Sequence, residues 1–164
     1  MDAERAWWGD RSLTFEQACR RSPFMLGLET KRDTHQWTYR SAQLRDYGAR
    51  LASQLEDARP ASNNPFHAFY QSIERVFGLK PNRKPLLIYD LTQRLGHRYG
   101  LEPADVYLHA GTRAGAEALR PGLGRPRLRP LTDFPTSIKD RLSPAQAEDF
   151  LCLAARYLRP ELWD

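Results

Sequence analysis

Cysteine is scarce in this chain. Cys19 and Cys152 are the two present, and they form neither a CxxC pair nor a zinc-ligand spacing. No apolar run approaches the roughly 20 residues of a membrane span. The first ten residues, MDAERAWWGD, carry acids and no apolar core, so no signal peptide is expected and the chain reads as soluble and cytoplasmic. Repeats and low-complexity tracts are absent. So are a P-loop, GxGxxG, HExxH and a nucleophile elbow, and no cofactor is expected. The four histidines, His35, His67, His97 and His109, include no pair at ligand spacing, the nearest two being 12 residues apart. No metal site is expected from them.

What remains is an ordinary globular composition. Of 164 residues, 41% are apolar and 27% charged, enough to bury a core without staples. Caps and periodicity predict a single all-α, bundle-like domain of six or seven helices. An N-terminal arm is expected over 1–12. The box Thr14–Gln17 starts a helix over 14–22, which Pro23 stops. Residues 24–37 show no period. Leu44, Tyr47, Gly48, Leu51 and Leu55 mark a helix over 39–58. Pro65, behind Asn63 or Asn64, opens a third over 65–77, with Phe66, Phe69, Tyr70, Ile73, Val76 and Phe77 on one face. Pro85 opens a fourth over 85–99, striped by Leu87, Ile88, Leu91 and Leu95 and closed by Gly100. Short helices are expected over 103–110 and 113–119. Residues 120–142 read as an irregular basic loop region, with one turn at 137–141. Ser143 and Gln146 form a second capping box for a helix over 144–158, with Ala147, Phe150, Leu151, Ala154 and Leu158 on one face. Period-two alternation is confined to VYLHA, so no strand is expected.

Charge is the first functional clue. The formal net charge is +5, and residues 80–141 hold 12 bases against 6 acids. Within that stretch Lys80, Arg83 and Lys84 lie in KPNRKP, and Arg120, Arg125, Arg127 and Arg129 lie in RPGLGRPRLRP. Such clusters can neutralise phosphates, or simply solvate a surface. An Asp90–Arg94–His97 series shares one helix face and reads as a surface ion pair with a neighbouring histidine.

The segment VYLHAGTRAGAEAL, residues 106–119, is rich in small residues, which let a helix or a ligand approach closely. Gly111, Thr112 and Arg113 sit at an expected helix N-terminus flanked by His109, a setting suited to an anion. The layout resembles the helix-hairpin-helix module of DNA-binding proteins. Ala110–Gly111–Thr112 would occupy the hairpin and Ala116 the packing position. Both hairpin glycines of that family are replaced here, by Ala110 and Thr112, and its apolar tip by Gly111.

Three functions follow as expectations. The first is a nucleic-acid- or phosphate-binding domain without catalysis, with Gly111, Thr112, Arg113 and His109 at the anion and the seven loop bases giving less specific contacts. The second is a protein–protein interaction or homo-oligomeric module, drawing on the aromatic pair Trp7–Trp8 or on a helix surface. The third is a small enzyme using Asp90, His97, His109 and Arg113. Both cysteines read as buried structural thiols.

Overall fold

The computed structural model describes residues 2–24, 39–78, 84–124 and 126–162. The chain is mostly helical, as its spacing predicts. Its residues group into two compact units, Met1–Glu102 and Pro103–Asp164.

In the first unit the N-terminal segment is itself helical, α1 (Asp2–Gly9), and Trp8 is buried. Helix α2 (Phe15–Arg21) begins at the expected capping box, with Thr14 and Gln17 each satisfying the other's backbone N–H. Helix α3 (Ser41–Gln54) buries Leu44, Gly48 and Leu51. Gly48 is where α2 and α3 cross: a Cβ there would lie 2.5 Å from the Arg20 carbonyl oxygen. Helix α4 (Pro65–Val76) starts at Asn64, whose side chain accepts the His67 N–H. Its face of Phe66, Phe69, Tyr70 and Ile73 is fully buried. Helix α5 (Pro85–Gly96) packs on α4 and ends in a 3-10 turn at His97–Tyr99. Gly100 closes it in the left-handed region at φ 63°.

Two expectations change in this unit. The pair Asp90 and Arg94 is not on the surface: both residues are buried, and Arg94 donates to the Ser22 carbonyl at 2.9 Å. Burial reaches round most of α5 because the helix is covered on several sides, so its polar positions are interior as well. Residues 25–38, with His35 and Trp37, lie outside the described residues, as do Lys80, Arg83, Arg125 and Trp163.

The second unit departs more from expectation. In place of a helix over 103–110 there is a strand, β1 (Asp105–Tyr107), paired antiparallel with β2 (Leu128–Pro130). Asp105 faces Pro130, Val106 faces Arg129 and Tyr107 faces Leu128. The β-branched and aromatic residues of VYL, with Val106 and Leu108 buried, favour a pleated surface. The partner strand was hidden in the Pro/Arg-rich loop, where Pro130 ends the pairing. That loop is therefore not irregular throughout: after β2 come a 3-10 turn and a short helix α7 (Thr136–Lys139).

Helix α6 (Ala110–Leu119) is continuous. No hairpin interrupts it at Ala110–Gly111–Thr112, so the likeness to a helix-hairpin-helix module does not extend to the structure. Helix α8 (Pro144–Ala154) starts at the expected Ser143–Gln146 box. The winding continues past its end, with Tyr157 and Leu158 N–H groups both directed at the Ala154 carbonyl. Helices α6 and α8 press together where a Cβ on Gly115 would lie 2.1 Å from the Leu151 carbonyl oxygen. The small residues of α6 thus admit another helix. Val106, Leu119, Phe134, Ile138 and Leu151 complete the core of this unit.

Candidate functional site: a clamped helix with an exposed apolar face

The site is built around α8, which is apolar on two sides. Its inner side carries Ala147, Glu148 and Leu151, all buried. Its outer side carries Phe150 and Leu153, and the turn that follows carries Tyr157, the three exposed to 40%, 72% and 65%. Among the described residues these three are all of the exposed large apolar side chains. Phe150 and Leu153, three apart, share one helix face, and Tyr157 follows in the turn closed on the Ala154 carbonyl. Phe150 was expected to line the buried stripe; it lies instead beyond the edge of the face that α6 covers.

The inner side is fixed by a polar cluster. His109 caps α6, its Nδ1 accepting the Gly111 N–H at 3.3 Å. That leaves the ring proton on Nε2, which is directed at the Glu148 carboxylate. Thr112 Oγ1 lies 2.7 Å from the same ring nitrogen and donates to Glu148 Oε1 at 2.9 Å. All three side chains are buried. A carboxylate inside the protein thus faces the N-terminal end of α6, where dipole and donors favour it. Beside it, Cys152 is half-buried rather than buried, and its sulfur would lie 2.5 Å from a Cβ added at Gly111.

Of the residues expected at an anion site, His109, Gly111 and Thr112 do come together. Arg113 turns elsewhere, donating to the carbonyls of Leu108 at 2.9 Å and Pro126 at 3.5 Å. It borders an open hollow of about 630 Å³ shared with Ala110, Ala114 and Glu117. Arg129 is paired with Asp133 at 2.9 Å and donates to the Leu123 carbonyl at 2.7 Å. Arg127 is half-buried, while Arg120 is exposed.

Lys84 belongs to the first unit. It takes the left-handed conformation at φ 57° ahead of Pro85. Its ammonium lies over the rings of Tyr39 and Tyr47, at 4.9 and 4.6 Å, and donates to the Tyr47 hydroxyl. Burial, then the neighbouring Tyr47 and Asp90, push the Tyr39 phenol above its ordinary range. A hollow of about 300 Å³ opens beside Lys84, Tyr47 and Phe77.

Asp90 and His97 lie on the first unit, His109 and Arg113 on the second. Within the second unit, His109 faces Glu148 and Arg113 faces backbone carbonyls, so those two do not converge on a common point. Sequence reasoning missed Glu148, Leu153 and Tyr157. The available signal was the series Phe150, Leu153, Tyr157, which repeats at helical spacing beside a second apolar stripe. No protein-family model, no curated protein and no solved structure matches this chain.

Proposed function

We propose that the chain is a protein-interaction module without catalysis, and that the outer face of α8 is its contact surface. One observation carries this reading: the exposed large apolar side chains among the described residues gather on that face and the turn that follows it, and nowhere else. Scattered single apolar residues are normal on a surface, whereas a contiguous row marks a binding site. Aromatic residues beside Arg156, whose guanidinium lies 4.6 Å from the Tyr157 ring centre, match the composition of interface centres. The buried cluster beneath keeps α8 rigid, which lowers the ordering cost of binding.

Photo-crosslinking tests it. A photoreactive residue replaces Leu153, and in a control chain it replaces Gln71, exposed on α4. Protein adducts formed from position 153 and absent from position 71 support the reading. Equal adducts from both, or none from 153, reject it.

Nucleic-acid or phosphate binding is the second reading. The charge excess of residues 80–141 favours it, with Arg120 exposed. Its test is anisotropy of labelled duplex and single-stranded oligonucleotides. Micromolar binding at roughly 50 mM salt that falls steeply as salt rises supports it. No binding at that salt rejects it.

A further inference from the structure

We propose that the hollow beside Lys84 binds a small monocarboxylate with an apolar body. The hollow lies wholly within the first unit, so the proposal is independent of the α8 face in the second. The Lys84 side chain carries it. Its ammonium is half-buried, seated over the rings of Tyr39 and Tyr47 and donating to the Tyr47 hydroxyl. Those contacts hold an ammonium without bringing a negative charge. Burial keeps the Tyr39 phenol above its ordinary range, so that ring stays neutral. Among the described residues no carboxylate is paired with Lys84. A cation drawn part-way out of water ordinarily has a counter-charge. An ammonium has further donors beyond the one that Tyr47 takes, and these are open to a ligand's carboxylate. The backbone holds the side chain there at some strain, since Lys84 takes a left-handed φ of 57° that a residue with a Cβ rarely adopts.

The rest of the lining selects the ligand. A volume of about 300 Å³ is at the small end of ligand sites. Phe77 and the buried Leu87 give the hollow an apolar wall. Leu87 is in the first turn of α5, where the helix dipole favours an anion. Gln43 gives its amide oxygen to the Arg40 N–H, which leaves its NH2 group to donate. Asp46 also borders the hollow, held by Arg50 at 3.0 Å. That pair is neutral taken together, so Lys84 is the one uncompensated charge of the lining. A single positive charge matches a carboxylate. The second charge of a phosphate would be set against the Asp46 carboxylate, and a ligand cation would be repelled by Lys84 itself.

The test is fluorine NMR of para-fluorobenzoate titrated with the full-length chain. Its signal should shift and broaden with a Kd in the millimolar range or tighter. Para-fluorobenzyl alcohol has the same body without charge, and para-fluorobenzylammonium has the opposite charge; each should bind at least about tenfold more weakly. Inorganic phosphate should displace the probe less well than benzoate does. Lys84→Met keeps the stem and loses the charge, and should weaken binding about tenfold with the circular dichroism unchanged. Asp46→Asn, at an exposed position, removes the repelling carboxylate and should strengthen binding several-fold. A merely structural Lys84 would not produce that gain. Should Lys84→Met fail to fold, the Asp46→Asn gain and the ranking of the probes decide. No binding of para-fluorobenzoate at about 10 mM overturns the proposal. So do equal binding of the alcohol or the ammonium, full affinity in folded Lys84→Met, and no gain in Asp46→Asn. Displacement by phosphate at lower concentration than by benzoate overturns the monocarboxylate class.

Discussion

The imidazole of His109 and the carboxylate of Glu148 form a hydrogen-bonded pair that is buried at both ends. The pair joins the start of α6 to the middle of α8. Removing Glu148 takes the acceptor from the neutral His109 ring and from the Thr112 hydroxyl in the interior, a loss of about 1–3 kcal/mol. Glu148→Ala should therefore lower the urea midpoint sharply. Glu148→Gln keeps an acceptor and should cost about 1–2 kcal/mol. Urea midpoints within experimental error of the wild type for both variants would contradict the clamp.

Gly115 and Gly48 are helix crossings, not flexible points. An added Cβ would lie 2.1 Å from the Leu151 carbonyl oxygen in one case and 2.5 Å from the Arg20 carbonyl oxygen in the other. Backbone cannot yield as a side chain can, so each Ala substitution should cost about 1–3 kcal/mol. Gly100→Ala meets no atom within 4 Å and is penalised by its φ of +63°, about 1–2 kcal/mol. Thermal unfolding of the three variants checks the contrast. Full stability in Gly115→Ala would show that α6 and α8 are not locked.

Arg113 is expected to be a brace. Its Nη2 donates to the Leu108 and Pro126 carbonyls, which lie one on each chain segment just past the Tyr107–Leu128 end of the β1–β2 pairing. Arg113→Ala should lower stability by about 1–2 kcal/mol and leave oligonucleotide affinity unchanged. Arg113→Lys should recover part of the loss, since both contacts leave the single nitrogen Nη2 and a lysine ammonium can donate to the same carbonyls only as far as its stem reaches. Weakened polyanion binding at wild-type stability would return Arg113 to the anion-binding role.

Alkaline pH should destabilise the fold. Burial pushes the Cys19 thiol from 9.0 up to about 12. Burial and the hydrogen bond to Asp57 raise Tyr99 as well. Both groups keep their protons in the folded chain while the unfolded chain releases them. The unfolded state then binds fewer protons, so stability falls as pH rises above about 9 and is full below it. Chemical denaturation between pH 7 and 11 measures this, and Cys19→Ala should flatten part of the slope. A slope unchanged by Cys19→Ala would show that its thiol does not contribute.

Helix starts were legible because they depend on a few neighbouring residues. Thr14 with Gln17, Ser143 with Gln146, and the prolines at 65 and 85 all act locally. The β1–β2 pair was not legible, because a three-residue strand is defined by a partner more than twenty residues away. His109 was missed as a cap because its role depends on Glu148, which lies 39 residues on. Thr112, the conventional capping residue nearby, spends its hydroxyl on that carboxylate instead. Phe150 was misplaced because α8 is apolar on two sides, and periodicity does not say which side a neighbour covers. That ambiguity and the candidate site have one origin: an apolar row that the fold leaves outside.

Photo-crosslinking from position 153, beside position 71 as control, tests the central claim most directly. Leu153 is 72% exposed, so a photoreactive residue there should leave the fold intact while sitting in the apolar row. Protein adducts should form from position 153 and not from position 71. Equal adducts from both positions, or none from 153, would contradict a contact surface on this face.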